Sequence, residues 1–415
     1  MRIIACSDIH IGRIPAVQGR QNLNGHVGWD AIVEKAIALE VDALVLSGDI
    51  VEKDNAWFEA YGPLVKGLEN LKKAGIEVFA VAGNHDANIF PRLAKEEKQV
   101  HLLGLKGTWD HIDYNGVRFI GWSFPQSVYA ANPLDSFDPS LSAFAGPCLG
   151  LLHCDVDGPL AGKYASVPSN QFEGTNLPLW VLGHIHAKKL INNKAAFYCG
   201  SPFALDSSET EEHGIWLLET VGEKSWKDPQ FIQLSPWLFC NCEVSLEGIT
   251  SLEELPEYIT KAMREKASSK LASLFNGDLY CKLAFTGTVP LGFELQNSLT
   301  PENLQELVIP LEEGCSAYAL DSFDDATTFQ VDLKSLAQGV GPIALLAKQL
   351  LAMDTLPGLL DEVRDIEEKS HNLPAFQQLR NVAGPDMTDT PEKLVQKAGM
   401  ILLRSMLKNI EGETV

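Results

Sequence analysis

No apolar run in this 415-residue chain approaches the ~20 residues that a membrane-spanning helix needs. Basic residues are in deficit: 33 Lys and Arg stand against 55 Asp and Glu, a formal net charge of −22. That excludes a broadly basic surface of the kind that grips nucleic acid through charge alone. A local positive site remains open, because two divalent cations held by two carboxylates still attract phosphate. The eight cysteines, at 6, 148, 154, 199, 240, 242, 281 and 315, never fall in the paired CxxC spacing of a zinc site. Cys6, Cys148 and Cys281 sit in apolar runs and read as buried free thiols. Cys154 follows a histidine and reads as structural or as a support to a ligand. There is no internal repeat. The first residues reach the polar Ser7-Asp8 too soon for a secretory signal, which reads as a cytoplasmic protein.

The first 220 residues are built from short apolar runs: Ile3–Cys6, Ala43–Ser47, Val78–Ala82, Val117–Gly121, Leu149–Leu152, Trp180–Leu182, Ala196–Tyr198 and Ile215–Leu218. Continuous runs bounded by Gly or Asp suit strands buried on both faces. Helical patterns lie between the early ones, at Trp29–Leu39 and Ala56–Lys73. Strand alternating with helix reads as layered α/β. The stretch Phe124–Pro147 reads as a long loop near a substrate entrance. After about residue 235 the texture changes to a helix over Leu252–Lys270 and strands over Leu279–Thr288 and Leu307–Pro310. From Pro342 it becomes helical, over Pro342–Met353, Pro357–Lys369 and Pro391–Lys408, each with proline in its first turn. These shifts predict three segments, 1–235, 236–340 and 341–415. The first carries 19 basic against 28 acidic residues and the remainder 14 against 27, so the C-terminal part suits a protein contact better than a DNA grip.

Five short motifs carry the chemistry: Asp8-Ile9-His10, Gly48-Asp49, Gly83-Asn84-His85-Asp86, His153, and Gly183-His184-Ile185-His186. Each follows an expected strand, and residues just beyond strand ends converge on one edge of an α/β sheet. Alone, each has a bland reading as a capping Asp or an ordinary histidine; the ordered set does not. Carboxylate, imidazole and amide oxygen together suit Mn, Fe or Zn better than Mg or Ca. Two metals roughly 3.5–4 Å apart need a bridging carboxylate, for which a strand-end Asp such as Asp49 is suited.

Motif for motif, the set resembles the calcineurin-like metallophosphoesterase superfamily. The resemblance implies an αββα-layered domain, followed here by a smaller α+β capping domain and a helical C-terminal segment. It implies that Asp8, His10, Asp49 and His186 hold one metal, and that Asp49, Asn84, His153 and His184 hold the second. His85 would be the catalytic histidine, with Asp86 orienting its ring. One departure is Glu52, where many members carry Asp or His.

The stretch Tyr198–Leu205, the acidic residues from Glu209 to Glu212, Gly214 and the apolar Ile215–Leu218 are similar to SbcD-type DNA repair exonucleases, including their YhaO-like branch. That implies a DNA exonuclease or endonuclease using two divalent ions, manganese foremost with Fe, Zn or Mg as alternatives. It also implies an SbcC-type SMC-like ATPase partner docked on the C-terminal helices. Arg13, Arg20 and Lys188-Lys189 are candidate phosphate contacts, each also readable as a solvated loop charge. Trp122, Phe124 and Tyr129 are candidates for base stacking or, equally, core. The alternative is a small-molecule phosphodiesterase or phosphatase whose C-terminal part forms a lid or a homodimer interface. A non-catalytic scaffold conflicts with the intact ligand set.

Overall fold

Four parallel strands begin the chain's first sheet: β1 (Arg2–Cys6), β2 (Ala43–Ser47), β3 (Glu77–Val81) and β4 (Val100–Leu102). They are seen in a computed structural model that describes residues 1–20, 23–52, 56–96, 100–159, 162–191, 195–270, 277–311, 314–352, 357–371 and 390–412. Helices α1 (Val27–Ala38), α2 (Ala56–Lys73) and α3 (Phe90–Glu96) fall between these strands.

A second sheet is ordered β5-β6-β7-β8-β10-β9, from β5 (Trp109–Tyr114), β6 (Val117–Trp122), β7 (Cys148–His153), β8 (Trp180–Gly183), β9 (Lys189–Ile191) and β10 (Ala196–Tyr198). Its four central strands are parallel and its two edges antiparallel. The chain then returns to the first sheet. There β11 (Gly214–Val221) lies antiparallel to β1, and β12 (Ser225–Trp226) and β13 (Gln230–Gln233) pair with β11.

The period-two geometry of strands explains why these runs are continuously apolar. Along β1, Ile4 and Cys6 face a core shared with Trp29, Ile32, Leu64 and Leu68 of the helices. Ile3 and Ala5 face the opposite way, into a core between the sheets with Phe79, Phe119, Leu151 and Val181. Phe79 and Phe119 stack with ring centres 3.8 Å apart. The outer face of the second sheet presents Ile120, Trp122, Trp180 and Leu182 to a layer of loops and short helical turns that supplies Leu134 and Phe172. The result is the expected αββα layering, with a fourth layer carried mainly by short turns.

Two compact units emerge. One comprises Met1–Cys242, Met263–Lys282 and Gln305–Leu320; the other comprises Glu243–Ala262, Leu283–Leu304 and Asp321–Val415. Strands beyond β13 follow the order Trp237–Ser245, Asp278–Thr286, Ser316–Asp325, Val308–Pro310. The second unit ends in helices Pro342–Leu351, Pro357–His371 and Pro391–Gly412. Met353, expected to close the first of these, lies outside the described residues. No described helix is long and apolar enough to cross a membrane.

Candidate metal centre

The strand ends deliver the five motifs to one place, all within Met1–Cys242. Backbone bonds tie the loops together: Asp8 N–H donates to Gly48 O (3.1 Å) and His10 N–H to Asp49 O (3.0 Å). Four of the motif residues hold positive φ without being glycine: Asp8 at 52°, His10 at 51°, Asp49 at 50° and His184 at 105°. Each such residue costs roughly 1–3 kcal/mol and persists only where its surroundings over-determine it.

Gly83 is dictated by the site, since a Cβ there would stand 2.2 Å from Asp49 Oδ1. Gly48, at φ +86°, likewise leaves room for the His153 ring, which a Cβ would approach to 2.4 Å.

Hydrogen bonds fix which ring nitrogen each histidine presents. His153 Nδ1 donates to Ser47 O (3.0 Å), leaving Nε2 facing Asn84 Oδ1 at 3.0 Å and Asp49 Oδ2 at 3.3 Å. His10 Nδ1 lies 2.9 Å from Glu52 Oε2, and His186 Nδ1 lies 2.6 Å from Glu209 Oε1. A carboxylate only accepts, so a neutral His186 presents its Nε2 lone pair, and that nitrogen stands 3.2 Å from His10 Nε2. Two imidazole nitrogens at that distance call for a proton or a metal ion between or beside them. The arrangement fits divalent cations, and the carboxylates behind His10 and His186 are the usual outer support of metal-bound histidines.

Among the described residues three groups of donor atoms, each mutually within 4.8 Å, could hold a metal ion: Asp8, His10 and His186; Asp8, Asp49 and His153; and His10, Glu52 and His85. Asp8 falls in the first two. Asp49 Oδ1 accepts the His85 N–H (2.9 Å) and its Oδ2 turns to His153. Asn84 joins the second group through His153. The His184 ring meets His153 edge-on at 5.4 Å, and its backbone N–H donates to Asp8 Oδ1 (3.0 Å).

The ionisation pattern agrees. Burial lowers the His153 pKa, but Asp49 outweighs it and lifts it to about 9, so the position calls for positive charge. Burial and the neighbouring His153 push His184 down to about 4, leaving a neutral ring able to bind metal. Burial works to raise Asp49, yet His153 and its fellow histidines hold it below the usual carboxylate range.

His85 is the half-exposed histidine of the set. Its Nδ1 lies 3.0 Å from Glu52 Oε1, which raises its pKa. Glu52 therefore spans His10 and His85 with its two oxygens. The resemblance assigned the orienting part to Asp86, and the structure corrects it. Asp86 is fully buried and accepts backbone N–H groups from Gly83 (2.7 Å), Ile50 (2.7 Å) and Val51 (3.3 Å), so its oxygens are spent on the loop itself. Burial, reinforced by Asp49, lifts its pKa to about 7.

Of the expected phosphate contacts, Arg13, Arg20 and Lys188 are all paired. Arg13 meets Asp206 at 3.1 Å, and Lys188 pairs with Glu212 and lies over Phe231. Arg20 is a structural residue instead. It pairs with Asp278, donates to Tyr280 Oη (3.3 Å) and lies 5.4 Å from the Trp237 ring centre. Trp122 and Phe124 are buried core, out of reach of a stacking base, while Tyr129 packs at 4.9 Å on Trp122. All eight cysteines are free thiols, and Cys154 is wholly buried, its carbonyl accepting from Tyr198. Glu209 was not singled out from sequence as a support for His186; its only signal was its place in an acidic stretch after the last metal motif.

Residues 1–188 match the family model for calcineurin-like phosphoesterases, and the N-terminal part of this chain is a calcineurin-like metallophosphoesterase domain. The chain is similar to the uncharacterized metallophosphoesterase YhaO of Bacillus subtilis, 24% identical over 258 residues, covering 57% of this chain and 60% of that protein. It is similar to the DNA double-strand break repair protein Mre11 of Methanopyrus kandleri, 31% identical over 250 residues, covering 53% and 54%. It is also similar to the D component of the nuclease SbcCD of Staphylococcus epidermidis, 23% identical over 269 residues, covering 57% and 70%. The chain thus spans less than two thirds of the length of the first two relatives.

Proposed function

We propose that this dimetal hydrolase is a deoxyribonuclease that cleaves phosphodiester bonds in DNA repair, working beside an SbcC-type SMC-like ATPase. The observation that carries the hydrolase reading is the cluster of imidazole nitrogens, an amide oxygen and carboxylates brought together at the strand ends. The printed names of two relatives, a break-repair protein and a nuclease component, support DNA as the substrate. Asp8, His10, Asp49 and His186 would hold one divalent ion, and Asp49, Asn84, His153 and His184 the other. Manganese heads the candidates that this mixed nitrogen and oxygen donor set accepts. When bound, such a pair acts as a Lewis acid on the phosphate and makes a nucleophilic hydroxide available at neutral pH. His85, whose pKa the hydrogen bond to Glu52 raises, would donate to the departing oxygen. Glu209 and Ser47 O keep His186 and His153 in the tautomer that presents Nε2.

A second reading has an observation of its own. With Arg13 and Lys188 paired to carboxylates on a chain of net charge −22, the site also suits a small phosphodiester. A manganese titration with end-labelled duplex and single-stranded DNA, a chromogenic diester alongside and Asp49→Ala as control, separates the two. Metal-dependent shortening of DNA that the control lacks supports the nuclease. Cleavage of the small diester with DNA untouched supports the alternative.

A further inference from the structure

We infer that the acidic loop 205–213 sets how much substrate charge the metal centre tolerates. Asp206 and Glu212 occupy Arg13 and Lys188 as counter-ions, so a phosphate beyond the scissile one reaches those cations only by displacing a carboxylate. The inference rests on the phosphodiesterase reading of the metal centre and adds to it the residues that select the substrate.

The placement makes the two cations flanking groups of one metal position. Arg13 lies three residues past His10 and Lys188 two past His186, and those imidazoles meet at 3.2 Å. A single loop reaches both. Its middle is anchored by Glu209, which takes the His186 Nδ1 proton at 2.6 Å and the Leu205 N–H at 2.8 Å. The loop is also tied to the Arg13 loop, where Ala16 N–H donates to Leu205 O at 2.8 Å.

From that anchor Asp206 extends to Arg13 and Glu212 to Lys188. Asp206 uses Oδ2 for Arg13 and Oδ1 for the Ser208 N–H (3.1 Å) and hydroxyl (2.5 Å). It therefore keeps its place when Arg13 leaves. Lys188 has a resting place of its own, with Nζ 3.8 Å from the Phe231 ring centre.

Both pairs are partly exposed, at 38% and 40% for Arg13 and Asp206 and 24% and 30% for Lys188 and Glu212. Pairs of this exposure are weak and exchange readily. A phosphate, which offers arginine a charge-assisted two-pronged contact, can take the carboxylate's place. Until it does, each cation is neutralised and the rim beside His186 adds no net attraction to that of the metals. A compact, singly charged diester loses nothing by this, whereas a polyanion forgoes two contacts.

The test is inhibition by oligothymidylate of bis-p-nitrophenyl phosphate hydrolysis, using the manganese-loaded full chain with Asp206→Asn and Glu212→Gln. Turnover of the small diester should stay within about twofold of the wild type. The oligothymidylate inhibition constant should fall about three- to fivefold per substitution, as expected for freeing one exposed ion pair. Its dependence on salt should steepen, because more cations then face phosphates. Adding Arg13→Ala to Asp206→Asn should cancel the gain. Equal or weaker inhibition in both variants would overturn the inference. If the wild type hydrolyses no diester, the reading of the metal centre fails separately. Direct titration of fluorescent oligothymidylate into the metal-loaded chain then decides whether the two variants bind it more tightly.

Discussion

His153 shows how a single side chain states the need for a cation. Its Nδ1 is committed to a carbonyl, its Nε2 faces two oxygens, and its pKa in the metal-free protein is lifted to about 9. Below that pH the ring carries the proton that a metal must displace. Metal uptake near pH 7 is therefore expected to release a proton. Manganese affinity should fall by about tenfold per unit as pH drops from about 9, provided this single proton dominates. Isothermal titration in buffers of different ionisation enthalpy reads the proton count, and an affinity independent of pH would remove His153 from the ligand set. His85 makes the opposite case: its Nδ1 meets Glu52, in a donor group shared with His10, and its ring is the more exposed of the two histidines. His85→Ala should keep both metals by elemental analysis while turnover falls by about 10²–10⁴-fold, the usual range for an acid–base group. Loss of a metal would make it a ligand.

At the scale of elements, what the sequence discloses follows from burial. Every strand that ends in a candidate ligand is an apolar run because it is covered on both faces, so β1, β2, β3, β7 and β8 were legible within a residue or so, and with them the convergence of the five motifs on one edge. β5 was not, because it lies at the sheet edge and alternates polar residues over Trp109–Tyr114. Contacts set by side-chain rotamers were also illegible. Whether Glu52 or Asp86 orients His85 depends on which oxygens the loop's own N–H groups consume. The Arg13–Asp206 pair spans 193 positions, which no local pattern announces. The glycines before the ligands are a device of the same scale. Gly83→Ala would drive a methyl into Asp49 at 2.2 Å. The variant should lose about 1–3 kcal/mol of stability in thermal unfolding, the range for overpacking a filled site, and bind manganese more weakly. An unchanged melting temperature together with full metal affinity would show that the loop yields more easily than its packing implies.

For the molecule as a whole, the seven candidate ligands and His85 lie in Met1–Cys242, and the helices from Pro342 onward belong to the other compact unit. Removal of residues 342–415 is accordingly expected to leave manganese-dependent hydrolysis of a chromogenic diester within about threefold of the full chain, since those residues supply none of the candidate ligands. A folded but inactive truncation would place those helices in the active site. Charge at this scale argues in the same direction as the paired cations: a chain at −22 has no broadly basic surface to draw phosphate, so the proposed metals would have to do it.

The central claim is that Asp8, His10, Asp49, Asn84, His153, His184 and His186 hold two divalent ions. Equilibrium dialysis against manganese followed by elemental analysis, on the full chain and on His153→Ala, tests it most directly. The account predicts two ions per wild-type chain and one per variant chain, with the variant still folded by circular dichroism. A wild type that binds one ion or none, or a variant that still binds two, would contradict it.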